Sequence, residues 1–432
     1  MLAIEERNNI RHLMQREIIP AIGCTEPVAV SLCVAKATEI LGEIPERIDV
    51  LLSANVIKNA MGVGIPGTGM IGLPIAIALG ALIGKSEHGL EVLRDLTPAD
   101  VKKGKAYIAE KRIQIALKPD ISDKLYIEVR CKTGNDHAVA IIRGSHTHFS
   151  HIEKNGDVIH LENRNFHEKE DIIQTSLTFS KVYDFAVSSP IEELRFILDA
   201  AKMNRKASRL SQKDNYGHNV AKSMLSEKGK ALFGENLHSR MISATAGACD
   251  ARMDGALIPV MSNSGSGNQG VAATLPVLTY AEETNSDEES LIRALIISHL
   301  SVIYIKQYMG RLSALCGCVM ASTGSSCGIT YLMGGNYGQI VYAAKNMIAN
   351  ITGMICDGAK PSCALKIASG VSTATLSALM AIDNKVVTSQ EGIIDEDIDQ
   401  TIRNLAIIGS SGMQETDKIV LEIMTGKQSV LD

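Results

Sequence analysis

The chain has 432 residues, of which 45% are hydrophobic, so it can bury enough apolar surface for two or three domains in one catalytic unit. Its formal net charge of −5 gives no electrostatic reason to expect a nucleic acid or an anionic membrane as partner. Nine irregularly spaced cysteines, and charged residues from Glu5 to Arg16 where a signal peptide would be apolar, fit a cytoplasmic protein better than a secreted, disulfide-bonded one.

The first informative segment is a turn that presents one cysteine at the start of a helix. Pro20 to Gly23 form an elbow before Cys24, and Thr25-Glu26-Pro27 supplies a hydroxyl, an acid and a proline suited to a first helical turn. A helix from about Val28 to Ile40 should follow. Because the positive end of a helix lowers the pKa of a thiol, Cys24 is a candidate nucleophile or metal ligand, although a buried structural cysteine fits equally well.

An uncharged segment from Asn59 to Gly84 is long enough for a membrane span, but glycines and prolines interrupt its first two-thirds. We interpret it as a glycine-rich loop that leads into a buried helix, roughly Leu73 to Ile83. The loop from Gly64 to Gly69 either brings backbone N–H groups close to a ligand or serves as a tight connector.

Residues between Lys105 and Arg164 alternate apolar and charged side chains, as half-exposed strands do. Arg47 to Ser53 alternates in the same way, and Asn155-Gly156-Asp157 is a strong hairpin signal. Four histidines lie in this region, and we interpret them as part of an exposed polar sheet face rather than as a metal site: His146, His148, His151 and His160.

These patterns predict an α+β fold: a mainly helical, glycine-rich catalytic body with an inserted antiparallel β-sheet subdomain. Residues 1–104 should form the N-terminal part of the body and carry the Cys24 turn. Residues 105–190 should form the β-rich subdomain, and residues 191–432 the helical body with a glycine-rich loop and the C-terminal cysteine motifs.

Five cysteines lie late in the chain beside glycine, serine or turn residues: Cys316, Cys318, Cys327, Cys356 and Cys363. Their spacing matches no zinc ribbon, and the chain contains no Cys-x-x-Cys pair. Cysteines on separate glycine-rich turns can instead converge on an iron–sulfur cluster, which thiolates hold. Upstream of them, the run from Ser262 to Gly270 is dense in small donors and acceptors, which suits either a carboxylate-binding loop or a flexible one.

Four motifs together resemble the L-cysteine desulfidase family, also called serine dehydratase alpha-like. They are GCTEP at 23–27, DGALIPVMSNSGSGNQG at 254–270, LSALCGC at 312–318 and GMICDGAKPSCALK at 353–366. The resemblance runs from about residue 10 to about residue 425. It implies an oxygen-sensitive 4Fe–4S enzyme that removes sulfide from L-cysteine and leaves pyruvate and ammonia without pyridoxal phosphate. A related branch removes water from L-serine with the same type of cluster.

The resemblance also implies a ligand set of Cys24, Cys316 and Cys356, which leaves one iron open as a Lewis acid. Cys318 is an alternative to Cys316, and Cys363 is an alternative third ligand. The other four cysteines are interpreted as packing residues: Cys33, Cys131, Cys249 and Cys327.

Other residues of the expected site serve the substrate. We expect Ser262, Asn263, Ser264 and Asn268 to bind it. Glu26 should pair with the ammonium or carry a proton, unless it is only a first-turn acid of its helix. Lys306 and Lys366 are candidate catalytic bases, with Lys360 and His299 as further candidates, and a lysine base needs a pKa lowered by burial.

The predicted function is therefore an α,β-elimination lyase acting on L-cysteine, with an L-serine dehydratase as the alternative. A non-catalytic iron–sulfur redox or sensor protein and a membrane transporter are the alternatives from other classes. The expected partner is a small amino-acid substrate, with no nucleic acid and no membrane, and a homo-oligomer is compatible with the sequence.

Overall fold

The computed structural model describes residues 2–119, 121, 123–162, 177–310 and 313–426. It is 61% helical, so the predicted mainly helical α+β class is confirmed. The described helices are α1 (Ile4–Glu17), α2 (Thr25–Leu41), α3 (Ala54–Ala60), α4 (Leu73–Ile83), α5 (Pro98–Ala109), α6 (Phe179–Ser188), α7 (Ile191–Leu194), α8 (Leu198–Lys213), α9 (Val220–Leu225), α10 (Glu227–Phe233), α11 (Leu237–Met253), α12 (Gly267–Glu283), α13 (Glu288–Met309), α14 (Gly317–Leu332), α15 (Tyr337–Ile351), α16 (Cys363–Ile382), α17 (Ile398–Ile407) and α18 (Gln414–Thr425). Short 3₁₀ turns at Ser86–Glu91 and Arg195–Ile197 and a π-helical turn at Ile408–Gly412 join some of them.

The described strands are β1 (Pro20–Ile22), β2 (Arg47–Leu52), β3 (Gly64–Ile65), β4 (Met70–Ile71), β5 (Ile113–Leu117), β6 (Tyr126–Thr133), β7 (Asp136–Arg143), β8 (Phe149–Lys154), β9 (Asp157–Leu161) and β10 (Pro259–Met261). Six of them form one sheet in the order β5-β2-β6-β7-β8-β9. Asn155 and Gly156 both have positive φ between β8 and β9, as the predicted hairpin turn requires.

The expectation of a purely antiparallel sheet within residues 105–164 is wrong in one respect. β2 comes from the N-terminal part of the chain and lies between β5 and β6. It pairs parallel to β5, with Val50 opposite Ile115, and antiparallel to β6, with Val50 opposite Val129. A parallel pair needs a long crossover, and the helices α3 to α5 between β2 and β5 supply it. The predicted domain boundaries stay a prediction, and residues 163–176 of the predicted subdomain lie outside the described residues.

Two apolar cores meet at the start of α2. The core around the sheet begins with Val28 and includes α2, α4 and the inner faces of β2, β6 and β7. The core of the helical body includes Cys24 and the helices α11 to α16. The turn that ends in Cys24 therefore lies at the junction of the two cores.

The glycine-rich segment folds as a small hairpin, β3–β4, followed by α4 at the predicted residues Leu73–Ile83. A Cβ on Gly64 would collide with the backbone of Asp254 and Gly255, so this hairpin packs closely on the chain before β10. That contact favours the interpretation of Gly64 to Gly69 as a tight structural connector over that as a ligand-binding loop. In the described part of the chain, one helix, α16, is long and apolar enough to cross a membrane, and it packs against α11, α14 and α15.

Candidate active site

A cavity of about 110 Å³ lies where four helices begin. Cys24 and Cys316 are the N-cap residues of α2 and α14, Ser266 is the N-cap of α12, and Cys363 is the first residue of α16. All four line the cavity. The volume has room for several waters, each of which needs on the order of 10–15 Å³. Because helix N-termini carry partial positive charge, this wall favours thiolates and other anions.

Strand pairing holds the Cys24 turn against the polar loop after β10. β1 pairs with β10, with Pro20 opposite Met261. Gly23 has a φ of 73°, and a Cβ there would meet Pro66 Cγ at 2.5 Å, so this turn requires glycine. Beyond the strands, Thr25 Oγ1 donates to the Gly265 carbonyl at 3.1 Å. The turn and the loop therefore form one rigid side of the cavity.

Cys316 and Cys356 lie on neighbouring segments joined by a single antiparallel bridge. The Cys316 amide donates to the Met354 carbonyl at 2.9 Å, and the Cys356 amide donates to the Ala314 carbonyl at 2.6 Å. Both side chains line the cavity, as do Cys318 and Cys363. Burial raises the pKa of the Cys316 thiol well above its usual value, and the neighbouring thiols of Cys356, Cys318 and Cys363 raise it further. Four thiols thus line one small space.

Cys24 is buried in the same cavity, with 3% of its surface exposed. The expected lowering of its pKa by the helix terminus is wrong, because burial raises the pKa well above the usual value and the charge of Glu26 adds to that effect. The Cys24 thiol donates a hydrogen bond to Glu26 Oε2 at 3.1 Å. A bound metal would lower the pKa of this thiol, since a thiol that coordinates a metal gives up its proton.

These donors fit an iron–sulfur cluster by their chemistry. The three predicted ligands and both alternatives line one cavity, whereas Cys33, Cys131, Cys249 and Cys327 do not line it. Within the described ranges, no three His, Cys, Asp or Glu side chains are close enough to bind a single metal ion. Ligands of a cluster stand farther apart, because each thiolate binds a different iron. The ligand assignment itself stays a prediction.

Glu26 is a buried carboxylate that accepts three hydrogen bonds. The donors are Asn59 Nδ2 at 3.0 Å, the Cys24 thiol, and Thr25 Oγ1 at 2.9 Å, whose one proton is shared with the Gly265 carbonyl. Burial alone would raise the pKa of Glu26, but the facing imidazole of His146 and these donors hold it at about 2. The 3.8 Å between His146 Nε2 and Glu26 Oε1 is too long for a hydrogen bond, so the imidazole faces the carboxylate without bonding it. Glu26 is thus an ionised group suited to bind an ammonium, and a weak base.

The four predicted substrate residues divide into two pairs. Ser264 and Asn268 line the cavity, and Asn268 Oδ1 accepts a hydrogen bond from Arg252 Nη1 at 3.0 Å. Ser262 and Asn263 do not line it. Ser262 Oγ donates to the Ile19 carbonyl at 2.6 Å, and Asn263 Nδ2 donates to the carbonyl and to Nδ1 of His299, each at 3.1 Å. Ser262 and Asn263 therefore hold the loop in place by bonds to the protein interior and do not face the cavity.

Among the predicted bases, Lys306 alone lines the cavity. Lys366 donates to Asp357 Oδ1 and to the Ile355 carbonyl. Burial would lower the pKa of Lys366, but Asp357 and the nearby thiols raise it overall, which is opposite to what a general base needs. Lys360 also bonds Asp357, and burial lowers the pKa of His299 in the core to about 3.

The sequence profile of one family, described as serine dehydratase alpha chain, matches residues 87–422. The chain belongs to this family. It is also 63% identical to the UPF0597 protein BF3560 of Bacteroides fragilis over 98% of this chain and 99% of that protein. UPF0597 proteins of Porphyromonas gingivalis and Shewanella halifaxensis are 52% and 44% identical, over 98% and 96% of this chain and 99% and 97% of theirs.

Membership of the serine dehydratase alpha chain family points to a lyase of the dehydratase type, which agrees with the resemblance seen in the motifs. The names of these relatives state no activity, so L-cysteine and L-serine stay alternative substrates. The profile begins at residue 87, after the Cys24 turn, so the match does not include the first predicted ligand. The UPF0597 proteins match nearly the whole chain, including the region of that turn.

Three residues on the cavity wall were missed as site residues: Arg252, His146 and Gln269. Arg252 lies near the end of α11 with Asp250 and Asp254 two residues away on either side, so its sequence neighbours suggest an ordinary ion pair and give no signal of a site. His146 was interpreted as part of an exposed sheet face, but it follows β7, is 5% exposed and covers Gly265 with its ring. Gln269 was present in the loop motif, but its position one turn into α12 is a matter of structure.

A second cavity, of about 790 Å³, lies between β5, α3 and α18. None of its described lining residues is a cysteine, and its buried ion pair joins Lys58 to Asp417. It shares only Ser313 with the described lining of the smaller cavity. The larger cavity is therefore adjacent to the thiols but does not contain them.

Proposed function

We propose that this protein is an iron–sulfur-dependent lyase that eliminates sulfide from L-cysteine and leaves pyruvate and ammonia. The observation that carries the proposal is the gathering of five thiols, from separate segments of the chain, around one buried cavity that also contains a carboxylate and an arginine. Family membership supports a lyase of the dehydratase type, a family in general dependent on an iron–sulfur cluster.

Cys24, Cys316 and Cys356 would hold the cluster. Cys24 and Cys316 are the N-caps of α2 and α14, so both thiols are presented at helix starts on the cavity wall. Cys318, the alternative to Cys316, is less free, because its thiol is in hydrogen-bond contact with the Lys366 carbonyl and Ser322 Oγ. In the described part of the chain, Cys316 and Cys356 make no side-chain hydrogen bond. When bound, a cluster with one open iron supplies a Lewis acid for the departing sulfur.

The remaining chemistry falls to groups of the chain. Glu26 is positioned to bind the substrate's ammonium, and Lys306, which lines the same cavity, is the candidate that takes the α-proton. Loss of the α-proton and of the β-sulfur converts L-cysteine to 2-aminoacrylate and hydrogen sulfide. 2-Aminoacrylate then takes up water and gives pyruvate and ammonia, so the reaction needs no external oxidant or reductant.

L-serine dehydration is the second candidate, favoured by the description of the matching family. It uses the same groups, with a hydroxyl leaving as water in place of the thiol. A redox or sensor cluster without catalysis is less well supported, because such a site has no need of a buried Glu26, Arg252 and Lys306 beside the thiols.

Anaerobic reconstitution with iron and sulfide, followed by parallel assays on L-cysteine and L-serine, tests the proposal. We expect sulfide and pyruvate in equal amounts from L-cysteine without added pyridoxal phosphate, and about four iron per chain. A fully reconstituted protein that releases pyruvate from L-serine but no sulfide from L-cysteine would replace the proposal by the dehydratase. A protein that turns over neither would contradict both.

A further inference from the structure

Seven buried side-chain nitrogen or oxygen atoms in the described part of the chain have no hydrogen-bond partner. Three of them belong to residues that line the cavity of about 110 Å³ around the five thiols, which we call the thiol cavity. They are His146 Nε2, Arg252 Nε and Gln269 Oε1. These residues are 5%, 2% and 3% exposed. Because a buried polar atom without a partner costs free energy, such a concentration at one cavity indicates a polar ligand.

Arg252 is the most informative of the three. Nη2 donates to the Gly23 carbonyl at 2.6 Å, and Nη1 donates to Asn268 Oδ1 at 3.0 Å and to Met253 Sδ at 4.0 Å, so all three described acceptors are neutral. Within the described ranges, Arg252 forms no ion pair with an acidic side chain. A buried guanidinium is always charged, and a buried charge is stable only when it is paired. A bound anion would supply the missing counter-ion.

A helix terminus adds positive charge at the same place. Gly267 is the first residue of α12, and a Cβ there would collide with Nε and Cζ of Arg252. The absence of a side chain lets the guanidinium lie against the N-terminal turn of a 17-residue helix. Gly317 likewise lets the Gln269 side chain lie against the start of α14, because a Cβ on Gly317 would be 2.9 Å from Gln269 Cγ. Two helix starts and one arginine thus converge on an anion site.

We infer that Arg252 binds the α-carboxylate of a free amino acid, while Glu26 binds its α-ammonium. The inference rests on the proposed function, which places the reaction at this cavity. It adds Arg252 as the residue that selects the substrate. A planar guanidinium matches a carboxylate in shape and charge, and the Gly23 carbonyl ties Arg252 to the segment that carries Cys24 and Glu26. The opposite charges of Arg252 and Glu26 fit a zwitterion of small size. The site should reject amines without a carboxylate and amino acids whose carboxylate is blocked.

Binding of two non-reacting ligands, L-alanine and L-alaninamide, tests the inference. They differ only in the carboxylate and are measured by calorimetry on anaerobic protein before and after reconstitution. We expect the wild-type protein to bind L-alanine about 10- to 100-fold more tightly than L-alaninamide, the range expected for a hydrogen bond to a charged group. In Arg252→Gln the ratio should fall toward one. Equal affinities in the wild-type protein, or no binding of L-alanine, would overturn the inference without any variant.

Arg205 provides a matched control, because it is also largely buried but has its own carboxylate partner, Glu282, away from the cavity. Arg205→Gln should keep the ligand ratio. An Arg252→Gln protein that loses affinity for both ligands equally, or loses iron with the ratio unchanged, would make Arg252 a structural residue and overturn the inference. Turnover of L-cysteine is a separate readout, so failure of the proposed reaction and failure of carboxylate binding are distinguishable.

Discussion

The cysteines at the thiol cavity and those in the two cores differ in what the sulfur faces. Cys33 donates to the Ala140 carbonyl at 3.3 Å, and Cys327 donates to the Ile340 carbonyl at 3.8 Å. Cys316 and Cys356 face the cavity and bond nothing in the described part of the chain. Burial raises the pKa in both groups, to about 12 for Cys131 in the sheet core and to about 11 for Cys318 at the cavity.

This comparison teaches that neither burial nor thiol pKa identifies a ligand. What separates the two groups is that the first lines the cavity, and only Cys316 and Cys356 in it also lack a protein partner in the described part of the chain. Cys249 is the borderline case, because it lies in the core but is close enough to Cys363 and Cys318 for their charges to raise its pKa further. Cys131, paired with Thr38 on the far side of the sheet core, is the cleaner control.

The largest expected effect is loss of the cluster. Cys24→Ser and Cys356→Ser should each lose iron and activity, because a serine hydroxyl is a poor ligand for iron where a soft thiolate is required. Cys131→Ser should keep both. Iron analysis and visible absorption after anaerobic reconstitution measure this, and full iron content in Cys24→Ser would remove Cys24 from the ligand set.

The next comparison separates two neighbours on α14. Cys316→Ser should lose the cluster like Cys24→Ser, whereas Cys318→Ser should keep it. The Cys318 sulfur packs against α16, since a Cβ on Gly370 would meet it at 2.5 Å, and its loss should cost only about 1 kcal/mol of stability. Iron content of the two variants, prepared in parallel, decides the assignment. Iron loss in Cys318→Ser with retention in Cys316→Ser would exchange their roles.

Local patterns predicted the fold where the deciding contacts are close in sequence. The helix at Leu73–Ile83 follows from its apolar run between glycines, and the hairpin turn at Asn155 follows from residues that tolerate positive φ. The position of β2 between β5 and β6 could not be predicted from local patterns. Alternation marks a strand but not its neighbours, and the partners of β2 lie more than 60 residues away along the chain.

The candidate site divides in the same way. Cys24, Cys316 and Cys356 were recognisable from motifs, and the structure brings all three to one cavity. Arg252 and His146 were not recognisable from motifs. What marks them is a buried nitrogen without a hydrogen-bond partner, and that is seen only in the folded chain. Asn263 and Asn268 have the same residue type in the same motif, yet one faces the core and the other the cavity.

A smaller effect is expected from Glu26→Gln. The variant keeps the volume and most hydrogen bonds of the side chain but removes the charge, so kcat/KM should fall about 10- to 100-fold with iron content unchanged. Glu39→Gln, on the exposed face of the same helix near Ser86, should leave the kinetics unaltered. Steady-state kinetics on both reconstituted variants measure this. Loss of iron in Glu26→Gln would instead make Glu26 part of the support for Cys24.

The smallest effects should divide between the two asparagines of the loop. Asn268 faces the cavity and orients Arg252, so Asn268→Ala should raise KM by a factor that corresponds to about 1–3 kcal/mol with little change in melting temperature. Asn263 is fully buried, and its amide bonds the carbonyl and Nδ1 of His299. Asn263→Ala removes the donor to Nδ1 of His299, so it should lower the melting temperature by about 1–3 °C in a chain of this length. Thermal unfolding and KM measured on both variants test the division, and a raised KM with an unchanged melting temperature in Asn263→Ala would return that residue to the substrate site.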